Sequence, residues 1–280
     1  MTGLGFALGA MLLFGVADLV YKRAAAAGVA PHRFLMVQTW VFLSTVIAYA
    51  LLTGSLQFVA GALWGTFAGG FLFLGSYLFM QSLRTGSISI NAPIFRLSLV
   101  VTAALAIALL GEPLTAFKGA GIAFALAASW LLLGAPVTAG QESRASLVRV
   151  LVAMLAVGIA NFIYGLGLRA GATAGSLMVA QACLVSPLAT LIAAVRDRGI
   201  RPSRPALQSG PLAGLTLALG SVFMVEAVAR GETSVAVPIA QMGFVVSALL
   251  GFAFMGEQLT ARKAAGIGAA LAALGFLSAG

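Results

Sequence analysis

Ten stretches of about twenty residues, each nearly free of charge, follow one another along this chain, and that succession limits what it can become. They cover about 2–21, 33–53, 59–82, 87–110, 114–134, 147–168, 174–195, 208–229, 233–255 and 259–279. A helix needs about 20 apolar residues to cross a bilayer core about 30 Å thick. A soluble domain carries roughly 25% charged residues. Of these 280 residues, 8% are charged and 61% are hydrophobic. The connections are short and leave no room for a soluble domain. The sequence therefore predicts an all-α integral membrane protein with ten transmembrane helices. Met1 to Val20 is long enough to span and has no basic segment before it, so it reads as a first span rather than a cleaved leader.

A duplication orders these spans. Gly86 to Gly134 and Gly231 to Ala279 align without a gap, with about 23 of 49 residues identical. The shared skeleton is a proline (Pro93, Pro238), an apolar run, then Gly-Glu-x-Leu-Thr-Ala-x-Lys at Gly111 to Lys118 and Gly256 to Lys263. Fainter echoes extend it: Gly15, Asp18 and Tyr21 match Gly158, Asn161 and Tyr164, and Gln38 matches Gln181. The unit is thus five spans used twice, as a first repeat over 1–135, a cytoplasmic linker over 136–146 and a second repeat over 147–280. Five is odd, so the second copy runs inverted to the first, around a central cavity.

The charges set an orientation. The net charge is +9, from 16 Lys and Arg against 7 Asp and Glu. With the N-terminus outside, Lys22, Arg23, Arg33, Arg84, Arg144, Arg149, Arg196, Arg198, Arg201, Arg204, Arg262 and Lys263 fall in cytoplasmic loops, and only Lys118, Arg169 and Arg230 fall outside. Positive residues gather on the cytoplasmic side, so both termini are placed on the outer, periplasmic side of a bacterial-type inner membrane. This distribution explains the positive charge without nucleic acid. One cysteine (Cys183) and one histidine (His32) rule out a Cys-based or His-cluster metal site.

Polar side chains inside a bilayer are costly and mark cavities or partners. Arg96 lies about ten residues into the fourth span. Its planar fork suits a carboxylate. It reads as the binder of a substrate anion, as a permanent partner of Asp18 or Glu226, or as a donor to backbone carbonyls. Its counterpart in the second repeat is Gln241, so the charge belongs to one half only. Glu226 and Asp18 are candidates for proton coupling; pairing with Arg96, or with Arg230 in the case of Glu226, is the other reading. Pro93 and Pro238 free the carbonyls of Ser89 and Ser234, whose hydroxyls could resatisfy them, and read as matching kinks or hinges. Tyr77 and Gln81 share a face of the third span, Asn91, Phe95 and Ser98 of the fourth, and Asn161 and Tyr164 of the sixth. With Phe162, Trp40 and Phe244 they describe an apolar, aromatic cavity with a few hydrogen-bonding tips; lipid-facing aromatics are the alternative. Glu112 and Glu257, in turns at span ends, read as structural, and Thr115 and Thr260 as helix caps.

Ten spans, two five-span repeats and a Gly-Glu-x-Leu-Thr turn closing the fourth and ninth spans make the chain resemble the drug/metabolite transporter superfamily, EamA type. The resemblance covers nearly the whole chain. It implies an inner-membrane carrier, often an exporter of amino acids or other metabolites, and the aromatic surface with Arg96 looks similar to exporters of aromatic amino acids. Many members are described with cytoplasmic termini, against the charge count here. The expected function is export of small metabolites, aromatic or neutral amino acids foremost, by alternating access. The alternatives are a proton-coupled exporter of drugs, cations or other metabolites, a channel, or a membrane-embedded enzyme. No catalytic constellation is present, no nucleotide-binding motif and no cofactor is implied. The expected partners are a small-molecule substrate and the lipid bilayer. A monomer satisfies this plan, and the sequence sets no oligomeric state.

Overall fold

A computed structural model describes residues 2–82, 88–133, 143–255 and 258–279, and no strand occurs among them. In the first half, α1 is Gly3–Ala26, α2 is Pro31–Leu52, a 3-10 turn at Ala60–Ala62 leads into α3, Leu63–Ser82, and then come α4 (Ile88–Arg96), α5 (Ser98–Leu110) and α6 (Ala116–Leu133). The second half repeats the order: α7 (Arg144–Arg169), α8 (Ala174–Asp197), α9 (Arg204–Ala229), α10 (Thr233–Gln241), α11 (Gly243–Met255) and α12 (Ala261–Ala279).

Among the described residues, nine stretches are long and apolar enough to cross a bilayer, with α4–α5 and α10–α11 each acting as one stretch. The tenth expected span is α12, a helix of 19 residues. It opens on Arg262 and Lys263, and that basic start keeps it out of the nine. Local signals start the helices where a cap is available. Thr2, Ser143, Thr173 and Ser203 accept from backbone N–H groups in the first turns of α1, α7, α8 and α9. Thr115 and Thr260 accept from the N–H groups of Lys118 (3.1 Å) and Lys263 (3.3 Å), which places both expected caps. Gly111 closes α5 in the left-handed region at φ 69°, a conformation open to glycine without a Cβ penalty.

Two pairs of equivalent helices, α2 with α8 and α6 with α12, pack against each other and run antiparallel. At one end of α2 and α8, Arg33 Nε donates to Asp197 at 2.6 Å; at the other, Ser176 Oγ donates to the Ser55 carbonyl at 3.0 Å. Between α6 and α12, Gly121 lies against Leu277 and Gly266 against Leu132. Other large contacts show the same near-symmetry: α1 packs on α9 as α7 packs on α3, and α2 on α9 as α8 on α3. Glycines permit this. A Cβ on Gly65 would sit 2.1 Å from the Leu177 carbonyl oxygen, and one on Gly214 2.5 Å from that of Gln38. The main core fills the space between α1, α2, α3, α5, α7, α8, α9 and α10, with Leu277 of α12, and a second cluster joins α5, α6, α11 and α12. Leu12, Leu52, Phe67, Leu109 and Phe254 point outward as an apolar skin, the arrangement a lipid solvent asks for.

Candidate substrate site

The fourth and ninth apolar stretches are each interrupted by one residue, Leu97 between α4 and α5 and Met242 between α10 and α11. The sequence places the bends at Pro93 and Pro238. Both prolines instead lie inside short helices, and the breaks fall four residues later. Only about one helical turn precedes each proline, so the missing hydrogen bond falls at the start of the helix and the helix continues through it. At the breaks the backbone tightens to three-residue bonds: Leu97 N–H to the Ile94 carbonyl (3.0 Å) and Met242 N–H to that of Ile239 (3.1 Å). The Ser234 hydroxyl, expected to resatisfy the freed carbonyl, has no hydrogen-bond partner among the described residues, while its backbone N–H goes to Glu112 at 2.8 Å. The side chain of Ser89 lies outside the described residues.

The two breaks meet. Arg96 is the last residue of α4 and Gln241 the last of α10. Arg96 Nη1 reaches the backbone carbonyl and the Oε1 of Gln241, both at 3.5 Å. Its Nη2 donates to Asp18 Oδ2 of α1 at 3.2 Å, and its guanidinium lies over the Phe244 ring, 5.4 Å from the centroid. The carbonyl ends of α4 and α10 suit a cation. The Arg96 side chain is 20% exposed and that of Asp18 37%. A guanidinium has five N–H donors; among the described residues, one bond at 3.2 Å and two long contacts leave it sparsely satisfied. Of the two carboxylate partners considered from the sequence, Asp18 is the one that binds Arg96. Glu226 is held elsewhere, ion-paired with Arg230 one helical turn on and accepting from Tyr49 at 2.7 Å.

The other expected site residues divide into several places. Phe95 stacks on Phe79 of α3, with centroids 4.2 Å apart. Gln81 donates to the Tyr77 hydroxyl at 3.2 Å, as their shared face suggests. Asn91 is fully buried, but its amide ties the ends of α3 and α7, donating to the Ser82 carbonyl (3.3 Å) and to Ser146 (2.8 Å). Tyr164 donates to Gln181 in the same way that Tyr21, its counterpart, donates to Gln38. Phe162 packs in the main core. Asn161, the counterpart of Asp18, is buried, and its Nδ2 has no partner among the described residues. Trp40 lies on the outer face of α2 and α8, donating to Thr190 at 2.9 Å; Phe244, under Arg96, does belong to the centre. A cavity of about 250 Å³ opens at the far end of α1, α9, α10 and α12, bordered by Arg230 and Glu232; Arg96 does not line it.

One cluster has a role the sequence did not suggest. Glu112 accepts from the N–H groups of Thr233 and Ser234 at 2.8 Å each, capping α10 of the opposite repeat. Burial alone would raise its carboxyl pKa, but the bonds from Ser234 and Thr233 outweigh burial and hold it below the ordinary value. Lys118, fully buried, pairs with Glu232 and donates to the Pro113 carbonyl at 2.7 Å. The Gly-Glu-x-Leu-Thr turn is therefore a clamp on the other half as well as a turn. Glu257 lies outside the described residues.

With this geometry in place, comparisons locate the chain among known proteins. It matches the model of the EamA-like transporter family twice, over residues 1–134 and 144–279. A solved structure described only as the crystal structure of a protein superposes with a TM-score of 0.81 at 15% identity, covering 99% of this chain and 96% of that one. That likeness concerns the fold. Among curated proteins, none matches by sequence.

Proposed function

The chain belongs to the EamA-like transporter family, a multi-pass membrane family within the drug/metabolite transporter superfamily, and on that premise we propose that it is a secondary exporter of small metabolites, amino acids with neutral or aromatic side chains foremost. Ten spans form two inverted five-span repeats in the inner membrane, with both termini outside. The antiparallel run of α2 against α8 and of α6 against α12 supports the inversion. The observation that carries the reading is the meeting of the two broken spans at Arg96 and Gln241. Broken helices at matching places in two repeats mark a binding site and a hinge.

The chemistry there is one-sided. Arg96 offers a charged fork to a carboxylate, and Phe244 offers aromatic surface. The substrate would bind at this centre, with the halves rocking about the breaks to open each side in turn. Asn161 adds an argument of its own: an unpaired buried amide costs about 1–3 kcal/mol, and a substrate acceptor would satisfy it. A second reading, proton-coupled export of a cation, draws on Asp18 and on Glu226, which Tyr49 contacts at 2.7 Å. The test is uptake of a panel of amino acids, and of amines lacking a carboxylate, into liposomes holding the purified protein. The amino-acid reading expects transport of carboxylate-bearing solutes only, abolished in Arg96→Ala. Transport of amines alone, surviving in Arg96→Ala, selects the cation reading.

A further inference from the structure

Asp18 holds the place that a ligand carboxylate would need. It approaches Arg96 through a single oxygen at 3.2 Å, and it is the more exposed partner, at 37% against 20%. A free carboxylate meeting the fork with both oxygens makes two parallel charge-assisted bonds. The remaining Arg96 contacts, to Gln241 at 3.5 Å, are long enough to yield. The pair also ties α1 to the broken α4, so exchanging the carboxylate releases one element from the other.

We propose that Arg96 is a monocarboxylate-binding site for which Asp18 is a built-in competitor, and that each bound monocarboxylate is accompanied by one proton taken up by Asp18; this rests on the transporter reading above. The exchange balances. The ligand carboxylate replaces Asp18 on the guanidinium, and Asp18 takes one proton from water, so the charge of the site is unchanged. An unpaired carboxylate between helices is costly in its charged form.

The groups around Asp18 permit this. On its own helix stand Tyr21, which donates to Gln38, and Lys22 one turn on. Among the described residues, α10 and α11 carry no charged side chain. On α9, Glu226 and Arg230 are paired with each other, and Arg204 stands at its start. On α2, His32 and Arg33 are engaged with Asp197 of α8. Arg96 is thus the cation that Asp18 loses on exchange.

The test uses the full-length protein in detergent with phenylacetate as probe and phenylethanol as control. Asp18→Asn should bind phenylacetate at least about tenfold more tightly than wild type and be raised in melting temperature by it, with no response to phenylethanol. The double variant Asp18→Asn with Arg96→Gln should lose both effects. Asp18→Ala, destabilised on its own, should be rescued by phenylacetate. In weak buffer, binding to wild type should take up close to one proton, and binding to Asp18→Asn none. Equal affinity in wild type and Asp18→Asn, or a phenylacetate response that survives loss of Arg96, overturns the proposal. Proton uptake unchanged in Asp18→Asn overturns its coupling part. Transport of amino acids by wild type is scored separately, so failure of the exporter reading and failure of this competition are distinguishable.

Discussion

Glu112 shows how one side chain can join two halves of a molecule. Its carboxylate caps a helix 121 residues further along the chain. Losing a cap of this kind costs about 1 kcal/mol. Glu112→Gln should therefore lower the melting temperature by a few degrees, measured by unfolding in detergent. The pH dependence has a definite sign. The folded carboxyl titrates below its ordinary value of 4.5, so its stabilisation is full above that value and is lost as pH falls through the folded value. The gap between wild type and Glu112→Gln should close on acidification; a gap that widens contradicts the cap. Arg96 was visible in the sequence because a lone guanidinium deep in an apolar run needs a reason. Glu112 could be seen as part of a turn but not as a clamp, since nothing local identifies a partner so distant in sequence.

At the level of elements, small residues decide which helices touch. Gly65→Val would drive a side chain into the Leu177 carbonyl, 2.1 Å from the Cβ position, and should prevent α3 from seating on α8. Gly119→Ala in α6 meets nothing within 4 Å and should leave stability unchanged or slightly raised. Folded yield by size-exclusion chromatography checks both; similar yields from the two contradict the packing. The existence of the spans, the Thr115 and Thr260 caps and the pairing of Tyr77 with Gln81 follow from apolar length, cap chemistry and helical spacing. The position of the breaks does not. Proline disturbs the helix before it, but the residues that interrupt α4–α5 and α10–α11 are Leu97 and Met242, ordinary apolar residues held in tight turns by the surrounding contacts. The central aromatic surface was likewise only partly legible. Helical spacing puts Asn91 and Phe95 on one face, yet Asn91 serves an end-of-helix tie while Phe95 packs on Phe79.

On the scale of the whole molecule, near-symmetry builds the frame and its exceptions equip the centre. The Tyr21–Gln38 and Tyr164–Gln181 pairs repeat the same bond in both halves. Asp18 and Arg96 face Asn161 and Gln241 as counterparts, so one half carries charge where the other carries amides. A carrier built this way should be rate-limited by reorientation about the breaks. Arg96→Lys, which keeps the charge but loses the fork, should weaken carboxylate transport by about tenfold or more through KM. A single central site exposed alternately to the two sides makes transport an exchange. The most direct measurement is trans-stimulation: liposomes holding the purified protein are loaded with unlabelled amino acid, and uptake of labelled amino acid is timed. Alternating exposure gives saturable uptake that is several-fold faster into loaded than into empty vesicles, and a flux near background with Arg96→Ala. Linear uptake that never saturates and is indifferent to loading would contradict it.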